Sequence, residues 1–202
     1  MADPQPVDRV VRATRLIAAP AATIFELIAD PARQPEWDGN DNLGLAEPGQ
    51  RVHGAGEVFT MTLNHGAVRE NHVVEFDEGG LIAWCPAEPA AEPPGHLWRW
   101  ELEPVDAGHT RVTHTYDWSR LTDPKRLERA RATTAERLRA SMDRLAAVAE
   151  RPSRLGCADS HATRRRPRMG LHSRLLSGLR RTRAATPPEP GPATAAPSRG
   201  PW

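Results

Sequence analysis

His114 and Tyr116 stand two residues apart in Thr110–Arg–Val–Thr–His–Thr–Tyr–Asp–Trp118, a segment that alternates in the manner of a β-strand. Side chains two apart on a strand share a face. An imidazole that titrates near neutral pH and a phenol that can donate or accept would therefore point the same way. His72 sits in a second alternating segment, Ala67–Phe76, together with Glu70. His114, Tyr116 and His72 are the candidate proton-transfer groups, with Glu70 or Asp117 as the carboxylate that would complete an acid–base pair. Nothing in the spacing sets the distance between such partners. Cys85 lies beside Pro86, and a thiol there would act as a nucleophile only if a histidine met it; an inert buried thiol is the plainer reading.

Other site chemistries lack their motifs. The histidines at 53, 65, 72, 96, 109 and 114 have no metal-ligating spacing, and no cysteine pair supports them. There is no Gly-x-Gly-x-x-Gly loop, no phosphate-binding Lys loop and no Gly-x-Ser-x-Gly elbow. No metal and no cofactor is expected.

The same alternation sorts the apolar residues. Trp98, Trp100 and Leu102 share one face, opposite Arg99, Glu101 and Glu103, and the tryptophan face is the inward one. Val112, His114, Tyr116 and Trp118 form the inward set of the next strand. Phe59, Met61 and Leu63 align in Glu57–Leu63. In the Ala67–Phe76 strand the set Val68, Glu70, His72, Val74 and Phe76 is the more apolar, which turns His72 inward. Two readings stay open for these polar groups. They are ordinary members of half-buried strands, or they are anchors in the wall of an apolar cavity. The tryptophans likewise fill a core or form a flat wall for a ring-shaped ligand. On the cavity reading the lining comprises Phe59, Met61, His72, Trp84, Trp98, Trp100, His114, Tyr116 and Trp118, with Leu138 and Met142 from the last helix.

The elements that must position these residues follow in order. Val10–Ile17 reads as a strand ended by Ala19–Pro20, and Ala21–Ala29 as a helix with Ile24, Phe25 and Ile28 on one face. Asp30–Pro31 stops that helix, and Pro35–Glu–Trp37 suggests a further helical turn. The Gly-, Asn- and Asp-rich stretch 38–56 is loop with at most a brief strand. Glu57–Leu63, Ala67–Phe76, Leu81–Cys85, Leu97–Glu103 and Arg111–Trp118 form hairpin-like units, so the sheet should be antiparallel. Asp123–Pro124 then opens a long helix to about Glu150, with Asp as cap, Pro at the first position, and a bend expected at Thr133–Thr134. Its stripe of Leu127, Ala130, Thr134, Leu138, Ser141 or Met142, Leu145 and Val148 or Ala149 should lie across the sheet.

Past Arg151–Pro152 the pattern collapses. The 202 residues carry 27 basic and 26 acidic side chains, but the near-balance hides an asymmetry. Residues 1–150 hold 16 basic and 24 acidic groups, net −8, and residues 151–202 hold 11 and 2, net +9. The first part reads as one domain, 8–150, and the second, 151–202, as a disordered Arg/Pro/Ala-rich tail with a short basic amphipathic segment at 169–181. An acidic domain makes a poor nucleic-acid binder. The tail could touch an anionic surface. Two cysteines, no secretory signal and no apolar run near 20 residues fit a cytoplasmic protein without integral membrane association.

The order of motifs resembles a known superfamily. The residues that carry the likeness are Ile17–Ala–Ala–Pro20 leading into Ile24–Phe25, Ala29–Asp30–Pro31 with Pro35–Glu–Trp37, and Val73–Val–Glu–Phe76 with Ile82–Ala–Trp84. Trp98–Arg–Trp–Glu–Leu–Glu–Pro104, Thr110–Trp118 and the terminal helix complete it. Over residues 8–150 the chain resembles the helix-grip, START-like or Bet v 1-like (SRPBCC) proteins, and among them bacterial polyketide cyclase/dehydrase-like members. The resemblance implies an α+β fold, in which a curved antiparallel sheet of about seven strands wraps around a long C-terminal helix over an apolar cavity. It implies binding of a small hydrophobic molecule, aromatic or lipid-like. The alternative is a cyclase, aromatase or dehydratase using the same cavity, and a protein-interaction role is a third reading. The resemblance carries over no invariant catalytic set.

Overall fold

The computed structural model describes residues 8–151. The basic tail, with its amphipathic segment at 169–181, lies outside the described residues.

Seven strands form one antiparallel sheet in the order β1-β7-β6-β5-β4-β3-β2. They are β1 (Val10–Ile17), β2 (Leu43–Leu45), β3 (Val58–Leu63), β4 (Val68–Asp77), β5 (Leu81–Ala87), β6 (Leu97–Asp106) and β7 (His109–Asp117). Consecutive strands from β2 to β7 are neighbours, as a run of hairpins dictates. The chain closes the order by returning β1 to the outside of β7, with Val11 opposite Tyr116 and Ala13 opposite His114.

Between β1 and β2 lie helix α1 (Ala21–Ala29) and a short 3₁₀ segment, Pro31–Glu36. Asp30 ends one and starts the other. Its backbone N–H donates to the Glu26 carbonyl, and its side chain accepts from the Ala32 N–H at 3.1 Å. Pro31 follows at the first position, where a missing N–H costs nothing.

The expected single C-terminal helix is two. Helix α2 (Pro124–Arg131) begins as read, with the Asp123 carboxylate accepting from the Lys125 N–H at 3.0 Å. It breaks before Thr134, whose backbone is extended (φ −102°, ψ 165°), and α3 (Ala135–Ala149) continues. Two adjacent β-branched residues lower helix propensity at the break. The helices also bury differently. α3 sinks Leu138, Ser141, Met142, Leu145, Ala146 and Ala149 against β1, β7 and α1, whereas in α2 only Ala130 is buried.

The core therefore sits between the sheet's concave face and α1 plus α3. Ile17, Ile24, Phe25, Ile28, Ile82, Leu138 and Met142 are at most 1 % exposed. That end of the sheet is filled. The end under α2 is not, and a cavity opens there.

Candidate ligand cavity

Strands β6 and β7 build the cavity wall through direct cross-strand pairs. Trp98 lies opposite Tyr116, and Trp100 opposite His114. Pairs on one face of a sheet stand close enough for aromatic rings to meet. Trp98 stacks on Tyr116 with ring centroids 4.2 Å apart, and Trp100 stacks on His114 at 3.6 Å with planes 12° from parallel. On the next strand Trp84 pairs with Trp98, extending the wall sideways. Ala13 on the other flank leaves room for the His114 ring.

The far wall comes from the segment after α1. Gln34 Nε2 donates to the Ile28 carbonyl at 3.0 Å and Trp37 Nε1 to the Leu27 carbonyl at 2.8 Å. These bonds satisfy two of the carbonyls that every helix end leaves open. They also fix Trp37 edge-on against Trp100, centroids 5.2 Å apart. Asp38 then organises the loop into β2. Its buried carboxylate accepts from the backbone N–H of Asn40 (3.0 Å), Asn42 (2.6 Å) and Leu43 (2.8 Å). Asn42 and Leu43 line the cavity in consequence. An Asp38→Ala change strands these donors and should cost about 2–3 kcal/mol; a urea midpoint equal to that of the parent protein would contradict this account of the loop.

The cavity measures about 410 Å³ and opens to solvent on one side. Exposure rises from its floor to its mouth. Trp100 and His114 are 1 % and 3 % exposed, Trp98 is half-buried, and Lys125 and Arg129 on α2 are exposed. The floor is polar in one respect. Both His114 ring nitrogens and Trp100 Nε1 are buried without a protein hydrogen-bond partner. Burial pushes the His114 imidazole down to about 3, so it is neutral at physiological pH. Burial also pushes the Tyr116 phenol up to about 12, opposed by Arg129 and Arg126. His96 is held down at about 4, first by burial and then by the positive charge of Arg126, Arg129 and Arg69.

Of the residues read from sequence as lining, Met61, Trp84, Trp98, Trp100, His114 and Tyr116 face the cavity. The others do not. Phe59 is buried behind it, edge-on to Trp84 at 5.5 Å. Trp118 falls one residue past β7 and is buried away from the cavity with Arg9 over its ring at 5.1 Å. Leu138 and Met142 belong to the α3 core, and Ser141 is the α3 residue that reaches the cavity. His72 is turned to the opposite face, because the inward residues of β4 are Asn71 and Val73. The register slips by one residue between Val73 and Glu75, which brings Phe76 back to the core against Phe25. Across the strand pair His72 lies opposite Cys85, whose thiol burial pushes upward, the reverse of activation.

No acid–base pair forms on this wall. Glu70 accepts from the Ala90 N–H at 3.1 Å and Asp117 from the Ser119 N–H at 2.8 Å, both outside the cavity. Alternation missed Asn71, Trp37, Asp38 and the cations of β4 and α2. His96 was within reach of it, one step of two before Trp98.

A family model described as polyketide cyclase/dehydrase and lipid transport matches residues 8–150. The chain belongs to that family. An uncharacterized protein of Mycobacterium tuberculosis, Rv0088, is 34 % identical over 105 residues, which is 50 % of this chain and 44 % of that one. The chain thus matches less than half the length of that relative. Among solved structures, protein MLL2253 from Mesorhizobium loti superposes with a TM-score of 0.55 at 16 % identity, covering 72 % of this chain and 99 % of that one. The Zhui aromatase/cyclase from Streptomyces sp. R1128 superposes with a TM-score of 0.53 at 20 % identity, covering 71 % and 94 %. At such identities these likenesses speak for the fold alone. They place the family's curved sheet and C-terminal helices on this chain. Among the described residues no helix is long and apolar enough to cross a membrane.

Proposed function

We propose that this domain binds a small, planar, largely apolar molecule against the aromatic wall of Trp84, Trp98, Trp100 and Tyr116. The observation that carries the reading is the stacked wall of a 410 Å³ cavity whose floor holds unpartnered polar atoms. Apolar rings bury well on such a surface. The His114 nitrogens and the Trp100 N–H then take the oxygen substituents of a ring, which fixes its orientation. Binding is favoured over catalysis on chemical grounds. A cyclase, aromatase or dehydratase would use His114, Tyr116 or His72 to move protons. His114 has no carboxylate or phenol within hydrogen-bond reach and is a weak base, while His72 faces away.

A fluorescence titration with naphthols and hydroxyanthraquinones tests the reading. Ligands stacked on the wall should quench its tryptophans with micromolar affinity. Trp98→Ala should weaken binding about tenfold, since a buried aromatic contact is worth roughly 1–2 kcal/mol. If no member of the panel quenches and native mass spectrometry finds no adduct, the proposal fails. The same reading places the protein in the cytoplasm, supported by its sparse cysteines. It takes 8–150 as the binding domain and leaves to the +9 stretch 151–202 a contact with an anionic surface, supported by that charge. Vesicle co-sedimentation of a chain lacking 152–202 would separate that contact from ligand binding.

A further inference from the structure

The mouth of the cavity differs from the domain that carries it. Residues 1–150 have a net charge of −8, yet Arg69 on β4 and Lys125, Arg126 and Arg129 on α2 all line the opening. Arg126 is spoken for. It pairs with Glu88 at 2.6 Å and with Asp123 at 3.3 Å. Asp38, the remaining acid of the lining, is engaged with backbone N–H groups. Arg69, Lys125 and Arg129 have no carboxylate partner among the described residues. Arg69 donates to the Val68 carbonyl at 2.8 Å, and Arg129 to Asn42 Oδ1 at 2.7 Å. Both acceptors are neutral, so the charges stand uncompensated.

An acidic domain has carboxylates to spare for pairing surface arginines. Six of the domain's other described cations are used that way: Arg15 with Asp143, Arg33 with Glu36, Arg51 with Glu26 and Glu78, Arg99 with Glu75, Arg111 with Glu103 and Arg144 with Asp41. Among the cations without a carboxylate partner, Arg69, Lys125 and Arg129 converge on one opening. α2 supports the same conclusion. Only Ala130 and Leu127 pack it against the core, and the bonds of its arginines hold it over the cavity as well. Arg129 and Arg126 tie it to opposite rims, Asn42 on one side and Glu88 on the other.

We infer that the mouth holds the anionic end of the ligand, a carboxylate or phosphate, between Arg69, Lys125 and Arg129, while the apolar body lies on the aromatic wall. This inference rests on the binding reading above and adds its substrate class: an amphiphile with one negative end, entering tail first. Arginine meets such groups with a planar fork of N–H donors, and lysine supplies a compact charge. The tail reaches Trp100 and His114, and the head stays in partial contact with water, where ionic strength screens it.

The test uses the full-length protein and a matched pair of probes, pyrenebutanoate and pyrenebutanol, which share the aromatic body and differ in the charged end. The carboxylate should bind at least about tenfold more tightly at low salt, as expected for charge-assisted hydrogen bonds. That preference should shrink steadily as sodium chloride rises. In Arg69→Gln/Lys125→Gln/Arg129→Gln the ratio of the two affinities should fall to near one, while Arg137→Gln/Arg139→Gln, exposed on α3 away from the cavity, should keep it. Butyl phosphate and butyrate as competitors at the mouth tell phosphate from carboxylate. Equal binding of both probes to the parent protein overturns the anionic mouth and leaves the binding reading standing. A preference that persists in the triple variant assigns it to other cations and also overturns the inference. Failure of both probes removes the binding reading itself. If the triple variant does not fold, the salt series on the parent protein decides, since a salt-independent preference is incompatible with a charged mouth.

Discussion

Between pH 6.5 and pH 4.5 the domain is expected to lose on the order of 2–3 kcal/mol of stability that a His114→Phe variant keeps. The sign follows from the imidazole's position. His114 is buried and held neutral, with a folded value of about 3 against an ordinary value near 6.5. Below pH 6.5 the unfolded chain takes up a proton that the folded one refuses. Unfolding is therefore favoured progressively as pH falls, and the contribution of His114 is complete only above pH 6.5. His96, held at about 4, adds a loss of the same sign. Paired carboxylates behave differently. Glu26 beside Arg51 and Glu36 beside Arg33 sit below the usual carboxylate range, so their contribution fades only below about pH 4.5. The upper window belongs to the histidines.

Phenylalanine keeps a flat ring against Trp100 and removes the titrating nitrogens. From pH 6.5 to 4.5 the melting temperature of the parent protein should fall by several degrees more than that of His114→Phe, which keeps only the fall due to His96. Ligand affinity should move the other way, since an oxygen substituent on the ring loses a partner on the cavity floor, at a cost of about 1 kcal/mol. Identical pH profiles for parent and variant would mean that His114 is open to water and would remove it from the floor.

The parts of this site that were legible are those in which one side-chain period runs unbroken. Trp98, Trp100, His114 and Tyr116 alternate strictly along β6 and β7, and a fixed cross-strand register stacks them in pairs. His72 was misjudged because composition favoured the set that ends in Phe76. The slip at Val74 puts Phe76 and Val73 on the same side although they are three residues apart, and a one-residue shift reverses every face before it. Leu138 and Met142 read correctly as buried, but helical spacing does not tell core from cavity. That distinction arises at Thr133–Thr134, where the chain turns α2 away from the packed layer and over the opening. The arginines of α2 looked like an ordinary solvated face. Their meaning depends on which carboxylates lie nearby, and on Asn42 and Glu88, which are 87 and 38 residues distant in sequence from the arginines they bind.

Gly39→Ala should be among the most damaging single substitutions in the domain, at a cost of at least about 3 kcal/mol. No backbone strain is involved. The reason is the closeness of two backbones. A Cβ at position 39 would lie 2.2 Å from the Ser141 nitrogen and 2.5 Å from the Ala140 carbonyl carbon. Neither is a side-chain tip that could swing aside; both belong to the middle of α3. The Gly39 N–H also donates to Ser141 Oγ at 3.1 Å, so the approach is a built contact that joins the Trp37–Leu43 loop to the helix. Pushing the loop off α3 would pull Asp38 from its three backbone donors and Trp37 from the edge of Trp100. Stability and cavity would be lost together. A melting temperature lowered by roughly 10 °C or more, with weaker quenching by wall-bound ligands at temperatures where the variant is still folded, is the expected outcome. A Gly39→Ala protein that melts like the parent would show that the loop and α3 stand apart in solution. The far wall of the cavity would then lack the anchor that sets its width.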